Sequence, residues 1–343
     1  MSRRATTSWP MVPLSVLDLS PVTEGSDAGQ SLRSSADLAR HVEGLGYRRF
    51  WMAEHHSMPG IASAATAVAL AYIGANTSTI RIGAGGIMLP NHAPLIIAEQ
   101  FGTLESLFPR RVDLALGRAP GTDQAAAHAM RRNLTSDANQ FPQDVVELMG
   151  YFRGENGRVR AVPGEGLDVP IWILGSSLFG AQLAAMLGLP YAFASHFAPQ
   201  MMMEAIAVYR ERFEPSDQLD KPYVMLGFNA IVADTDEEAE LLATSVQQAF
   251  VALRTGHPIK LPPPKAGYAD DLPMEARAIL RSIISVSAIG NPETARRKVD
   301  EFVARTKPDE LIVTAQIYDH QARLKSYELL MQAVRQSEAA SAK

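Results

Sequence analysis

The chain has 343 residues, of which 47% are hydrophobic and 20% charged, with 32 basic and 37 acidic side chains for a formal charge of −5. That balance belongs to a globular protein and excludes disorder, collagen and coiled coil as the main architecture, while the length allows roughly two ordinary domains or one large barrel. No basic excess exists to meet a phosphate backbone, so nucleic-acid binding is not expected; the lack of cysteine removes disulfides and thiol chemistry and suits a cytoplasmic protein.

In chain order, Arg3-Arg4 invites comparison with a twin-arginine export signal. Pro13, Asp18 and Pro21 interrupt the apolar run that follows, and no cleavage site comes after it. No apolar run reaches the roughly 20 residues that cross a membrane. Pro13 to Leu19 predicts a first strand. Leu32, Ala36, Leu38, Ala39, Val42 and Leu45 mark a helix over 31–45, stopped by Gly46. Tyr47 to Ala53 is the second strand, and Ala62 to Ala75 an almost wholly apolar helix. The third strand, Ile80 to Pro90, carries glycines in its C-terminal half; a helix over Pro94 to Leu107 and a fourth strand over Arg111 to Leu116 follow. Residues 118–139 are polar and aperiodic, a loop excursion.

Helix resumes over Gln143 to Phe152. Strands five to seven are Val169 to Leu174, Pro190 to Ala194 and Val224 to Ala233, followed by helices over Ser177 to Leu187, Gln200 to Phe213 and Asp234 to Leu253. Thr255 to Pro273 is proline-rich without a period, an exposed loop. A helix over Pro292 to Arg305, an eighth strand over Glu310 to Gln316 and a helix over His320 to Ala333 close the chain. Eight strands, each followed by helix, predict an α/β fold with a single (β/α)8 TIM barrel over residues 12–335, with loop insertions. Residues 1–11 and 336–343 are left as flexible termini. An open doubly wound sheet is the competing architecture.

In such a barrel chemistry gathers at the C-terminal ends of the strands. After the second strand stand Glu54-His55-His56. An imidazole there can serve as a general base or simply form a hydrogen-bonded wall, and alternation lets at most one of the pair face inward. No other histidine or carboxylate group stands at ligand spacing, so no metal site is expected. Gly85-Gly86 ends the third strand, where glycine admits a flat ligand or a bulge; Met88 occupies the place a dinucleotide fingerprint reserves for its third glycine. Arg118 after the fourth strand could hold a phosphate or lie at the surface. Ser176-Ser177 after the fifth opens a helix, as an anion site or an ordinary cap. Phe179 excludes a nucleophile elbow. Loop 255–273 lies at the same mouth.

Four stretches then stand in an informative order: Trp51-Met52-Ala53-Glu54-His55-His56, Gly83 to Pro94 with its Leu89-Pro90-Asn91-His92-Ala93-Pro94 ending, Arg111 to Arg118, and Gly175-Ser176-Ser177. Together they resemble the bacterial luciferase-like flavin monooxygenases, from about residue 12 to 335. Arg118-Ala119-Pro120-Gly121-Thr122-Asp123 and Ala194-Ser195-His196-Phe197 resemble a subgroup whose substrates are largely unassigned. The resemblance implies a cytoplasmic TIM-barrel enzyme that takes reduced FMN from a separate flavin reductase. Oxygen adds at the flavin C4a, and the peroxyflavin oxidises an aldehyde, ketone or similar small organic substrate.

By the same resemblance His55 matches the catalytic base, and Gly85 and Gly86 match a pair joined by a non-prolyl cis peptide beneath the flavin ring. Arg118, Ser176 and Ser177 match the phosphate site, and Ser195 and His196 fall near the ring. Loop 255–273 corresponds to a mobile shield, and homodimer pairing through outer helices makes Ala62 to Ala75 a candidate contact. The thiol of the light-emitting members has no counterpart here. Two other readings share the barrel: a deazaflavin-dependent oxidoreductase that transfers hydride, and a non-catalytic flavin-binding protein. The substrate is not legible, because variable loops build the mouth.

Overall fold

The computed structural model describes residues 12–118, 126, 129–130 and 140–341. Nine parallel strands form one sheet: β1 (Leu14–Asp18), β2 (Arg49–Met52), β3 (Arg81–Met88), β4 (Val112–Gly117), β5 (Ile171–Gly175), β6 (Tyr191–Phe193), β7 (Val224–Val232), β8 (Ser287–Gly290) and β9 (Glu310–Thr314). Pairing of β1 with β9 and of β6 with β7 closes eight of them into a TIM barrel. The ninth, β8, is an addition: Asn229 stands opposite both Ser287 and Thr314, so β8 extends the edge of β7 that β6 occupies lower down.

All eight expected strands are present, as β1 to β7 and β9. The helices are α1 (Ala28–Gly44), α2 (Thr66–Ala75), α3 (Pro94–Leu107), α4 (Phe141–Arg153), α5 (Leu178–Met186), α6 (Met202–Arg212), α7 (Asp236–Arg254), α8 (Met274–Ile284), α9 (Pro292–Thr306) and α10 (His320–Ser341). α8 and β8 fall in a stretch for which the sequence predicts no element. α10 continues well past Ala333, to Ser341. Ala119 to Asp123, most of the 118–139 excursion and the first eleven residues lie outside the described residues.

Local chemistry sets the element ends. Asp27 accepts the Gln30 amide at 2.8 Å to cap α1, and Asn291 caps α9 ahead of Pro292. Thr235 caps α7, whose first turn carries Asp236, Glu237 and Glu238 against the positive end of the helix dipole.

Strand alternation divides the core in two. Val16, Phe50, Met52, Ile82, Leu114, Phe228 and Val313 face outward into the helices. Leu17, Trp51, Ala115, Trp172, Met225 and Ile312 pack inside the barrel, with the two tryptophans edge to face at 5.1 Å. Below them a charged layer fills the N-terminal end. Arg49 bridges Asp113 at 2.8 Å and Glu310 at 3.0 Å, Arg81 meets Asp113 at 2.7 Å, and the Tyr223 hydroxyl donates to Glu310 at 2.8 Å. Every buried charge in that layer has a partner, as burial requires. The interior is therefore plugged at one end, and its space lies at the other.

Candidate active site

A pocket of about 700 Å³ opens at the C-terminal ends of the strands, a volume typical of small-molecule and cofactor sites. On β2 and its extension, Arg49, Trp51, Ala53 and His55 share the inward parity, so His55 lines the pocket above Trp51. Glu54 has the opposite parity and is buried. Its carboxylate accepts the Met88 amide at 3.0 Å and the Asn91 side-chain amide at 3.2 Å, with Nε2 of His56 at 2.7 Å and of His92 at 2.9 Å. Burial pushes its pKa up, but the hydrogen bonds and charge of His92, with His56 and the Met88 amide, outweigh it and hold the carboxyl below its ordinary value.

Beyond Glu54-His55-His56 the sequence shows no histidine or carboxylate group at ligand spacing, yet the fold adds a third member, His92, to Glu54 and His56 of that motif. Glu54, His56 and His92 bring their ligand atoms within 4.8 Å of one another, the one such group among the described residues. His92 comes from the Leu89-Pro90-Asn91-His92 segment after β3, so a contact across two strands built it, where local spacing could not reveal it. Its evident work is to tie that segment to the end of β2.

The Gly85-Gly86 peptide is cis, as the resemblance implied, and the β3–β4 register shifts there, leaving Gly86 as the extra residue. Close packing explains both glycines. A Cβ on Gly85 would lie 2.9 Å from Trp51 Cε3, and one on Gly86 would lie 2.6 Å from the Ala115 carbonyl oxygen. Gly85 lines the pocket as bare backbone, while Gly86 packs behind it.

Arg118, Ser176 and Ser177 converge on one wall. Ser177 is the extended N-cap of α5, and its side chain makes no cap hydrogen bond, so hydroxyls and first-turn amides stand together at the positive helix end. Arg118 lies over the Phe179 ring with Cζ 4.3 Å from the centroid, which orients the guanidinium beside that turn.

After β6, His196 lines the pocket and Ser195 does not. The Ser195 hydroxyl donates to the Gly227 carbonyl at 2.6 Å and is wholly buried, joining β6 to β7. The His196 ring sits so tightly on Gly227 that a Cβ there would lie 2.1 Å from Nδ1. Burial, with the nearby His55 adding to it, pushes the His196 imidazole down to about 4.

The roof comes from the insertion after β7. Val246, Phe250, Leu253 and Arg254 of α7 line the pocket, and Arg254 stacks on Phe197 and Phe250. The chain then crosses the mouth. Leu261 donates its amide to Val22 and accepts that of Glu24, both at 2.9 Å, and Lys260 Nζ donates to the Ser26 carbonyl at 2.8 Å. The first half of the 255–273 stretch, expected as exposed loop, is thus a strap with Leu261 buried; the reason is strand-like pairing with the segment after β1. Sequence reasoning missed Phe250 and Arg254, and it named Glu54 without giving it a role. An aromatic four residues before an arginine at the end of α7 was the available sign for the first two.

Fold and mouth together define a TIM-barrel protein with a deep, mostly apolar pocket and an anion-ready wall where the strands end. Residues 12–309 match the profile of the luciferase-like monooxygenase family. The chain is 51% identical to a luciferase-like monooxygenase of Escherichia coli K12 over 93% of its length and 96% of the relative's. A more distant relative, the N-acetyl-S-alkylcysteine monooxygenase of Bacillus subtilis, is 30% identical over 94% of this chain and 98% of its own. The crystal structure of apo-MsnO8 superposes with a TM-score of 0.88 at 34% identity, covering 94% of this chain and 98% of that one. The chain belongs to the luciferase-like monooxygenase family, and the family makes it an oxidoreductase.

Proposed function

We propose that the protein is an FMN-dependent monooxygenase that uses reduced flavin and O2 to oxidise a small organic substrate. The observation that carries this reading is the wall where Arg118, Ser176, Ser177 and the start of α5 face the same pocket as Gly85 and His55. A flat, phosphate-tailed group suits that wall and floor: the tail meets a guanidinium and a helix N-terminus, and the ring meets glycine backbone that no Cβ could share. Bound reduced FMN would supply the electrons that activate oxygen. Arg118, Ser176 and Ser177 hold the phosphate, Gly85 floors the ring with Gly86 packed behind it, and His196 walls it as a neutral imidazole. His55 holds or moves a proton at the reacting end. Leu17, Leu174, Phe250 and Leu261 keep water out.

On this reading a separate reductase supplies the reduced flavin, and the protein works in the cytoplasm. Among the described residues no helix is long and apolar enough to cross a membrane.

Titration of FMN into wild type and Arg118→Ala tests the assignment. The variant is expected to bind about 2–3 kcal/mol more weakly, the loss of a charge-assisted phosphate contact. Equal affinities would remove Arg118 from the site. Parallel titration with a deazaflavin coenzyme separates the hydride-transfer reading, which tighter deazaflavin binding would favour.

A further inference from the structure

We infer that the substrate is an apolar molecule bearing one anionic group of the carboxylate type, and that Arg254 is the specificity-determining residue that receives that group. The inference deepens the monooxygenase reading and rests on it for the identity of the pocket. It begins from charge. Among the described residues that line the pocket there is no aspartate or glutamate, while two arginines, Arg118 and Arg254, face it. Such a pocket disfavours cations and leaves an anion's charge unopposed by any carboxylate of the lining.

The two arginines hang from different parts of the mouth. Arg118 follows β4 and stands beside the turn after β5, whereas Arg254 ends α7 and packs on Phe197, which follows β6. A ligand tail at the first leaves the second for another group.

Four exposed arginines, Arg40, Arg153, Arg160 and Arg297, each pair with a nearby carboxylate, on Asp37, Glu155, Glu165 and Glu301; Arg254, also exposed, is held in another way. Arg254 has no carboxylate in salt-bridge reach among the described residues. Its Cζ lies 4.4 Å from the Phe197 ring centroid and 4.8 Å from that of Phe250, and one nitrogen donates to the Phe197 carbonyl at 2.9 Å. Two aromatic rings and a carbonyl hold the guanidinium in one orientation, so little side-chain freedom remains to be lost on binding. A guanidinium has five donors in a planar fork, and the carbonyl takes one of them. A carboxylate or sulfonate matches the remainder with two oxygens. Val246, Phe250, Leu253 and Ile259 offer apolar surface for the rest of such a molecule. With its anionic end at Arg254, its other end points into the barrel toward His55 and Gly85.

Calorimetric titration of 4-phenylbutanoate and its uncharged analogue 4-phenylbutanamide into FMN-saturated protein tests this. The acid is expected to bind at least about tenfold more tightly than the amide, near the low end of what a charge-assisted pair contributes. Arg254→Gln should bring acid and amide within twofold while leaving amide affinity unchanged, which also shows that the variant is folded. Arg118→Gln should retain the preference. Equal affinities in the wild type, no acid binding up to millimolar concentration, or a preference that survives Arg254→Gln would overturn the proposal. So would a preference lost in Arg118→Gln, since the anion would then sit in the phosphate cradle. If FMN itself fails to bind, the monooxygenase reading falls alone, because the same titrations on flavin-free protein still report the anion preference.

Discussion

His55 and His56 are chemically identical neighbours, and only the pleat separates their work. His55 inherits the inward parity of Trp51 and Ala53, and His56 turns outward to Glu54. His55→Ala should therefore leave FMN affinity within about twofold. Reoxidation of bound reduced flavin, followed by stopped-flow absorbance after mixing with oxygen, should change by a factor on the order of 10². Weaker FMN binding with unaltered reoxidation would make His55 a wall residue instead. His196 carries a different prediction, because burial pushes its pKa down to about 4, against about 6.5 for an exposed imidazole. As pH falls below 6.5 the unfolded chain takes up this proton first, so stability is lost through the window from 6.5 to 4. Between pH 7 and pH 5 the loss from this group is roughly 1–2 kcal/mol. Denaturant unfolding at both pH values would measure it, and His196→Gln should flatten the dependence by that amount; an unaltered slope would assign it to other groups.

Among the elements, the strap over the mouth shows where periodicity stops being informative. Residues 255–273 have no repeating apolar pattern, because each anchor there meets a different neighbour: Leu261 pairs with the segment after β1, and the Ile259 carbonyl lies where a Cβ on Gly60 would fall, at 2.3 Å. β8 is four residues long, too short for alternation to register. α8 did carry a sign, with Ala276 and Leu280 one turn apart and both buried, but it follows a proline-rich run that masks its start. The strap yields a prediction of its own. Leu261→Ala removes a buried side chain beneath the crossing and should cost about 2–3 kcal/mol by thermal or denaturant unfolding. It should also hasten reoxidation of bound reduced flavin by admitting water; a stability loss with unaltered reoxidation would show that the strap does not shield the pocket.

For the molecule as a whole, the apolar helix noted in the sequence has two faces. Leu70 and Ile73 of α2 pack against the barrel, whereas Val68 is 73% exposed and Tyr72 43% exposed, and the neighbouring α3 also exposes Ile96 and Leu107. Exposed apolar side chains on outer helices are what a homodimer would cover. Light scattering should give twice the chain mass for the wild type and a shift toward monomer in Val68→Glu; a monomeric wild type would dispose of the pairing. The amino-acid sequence by itself determined eight strands alternating with helices, their order, and the places of Arg118 and Ser176-Ser177 just after the fourth and fifth of them. Alternation, helical spacing and turn chemistry are properties of near neighbours, and a chain carries them openly. Only the tertiary structure decided that Glu54 binds His92, that the Ser195 hydroxyl goes to Gly227 and not to the pocket, and that Arg254 stands on two phenylalanines over the mouth. Apart from Phe250 and Arg254, one helical turn apart, those contacts join residues tens of positions apart, and closure of the barrel, which no local pattern encodes, is what brings them together.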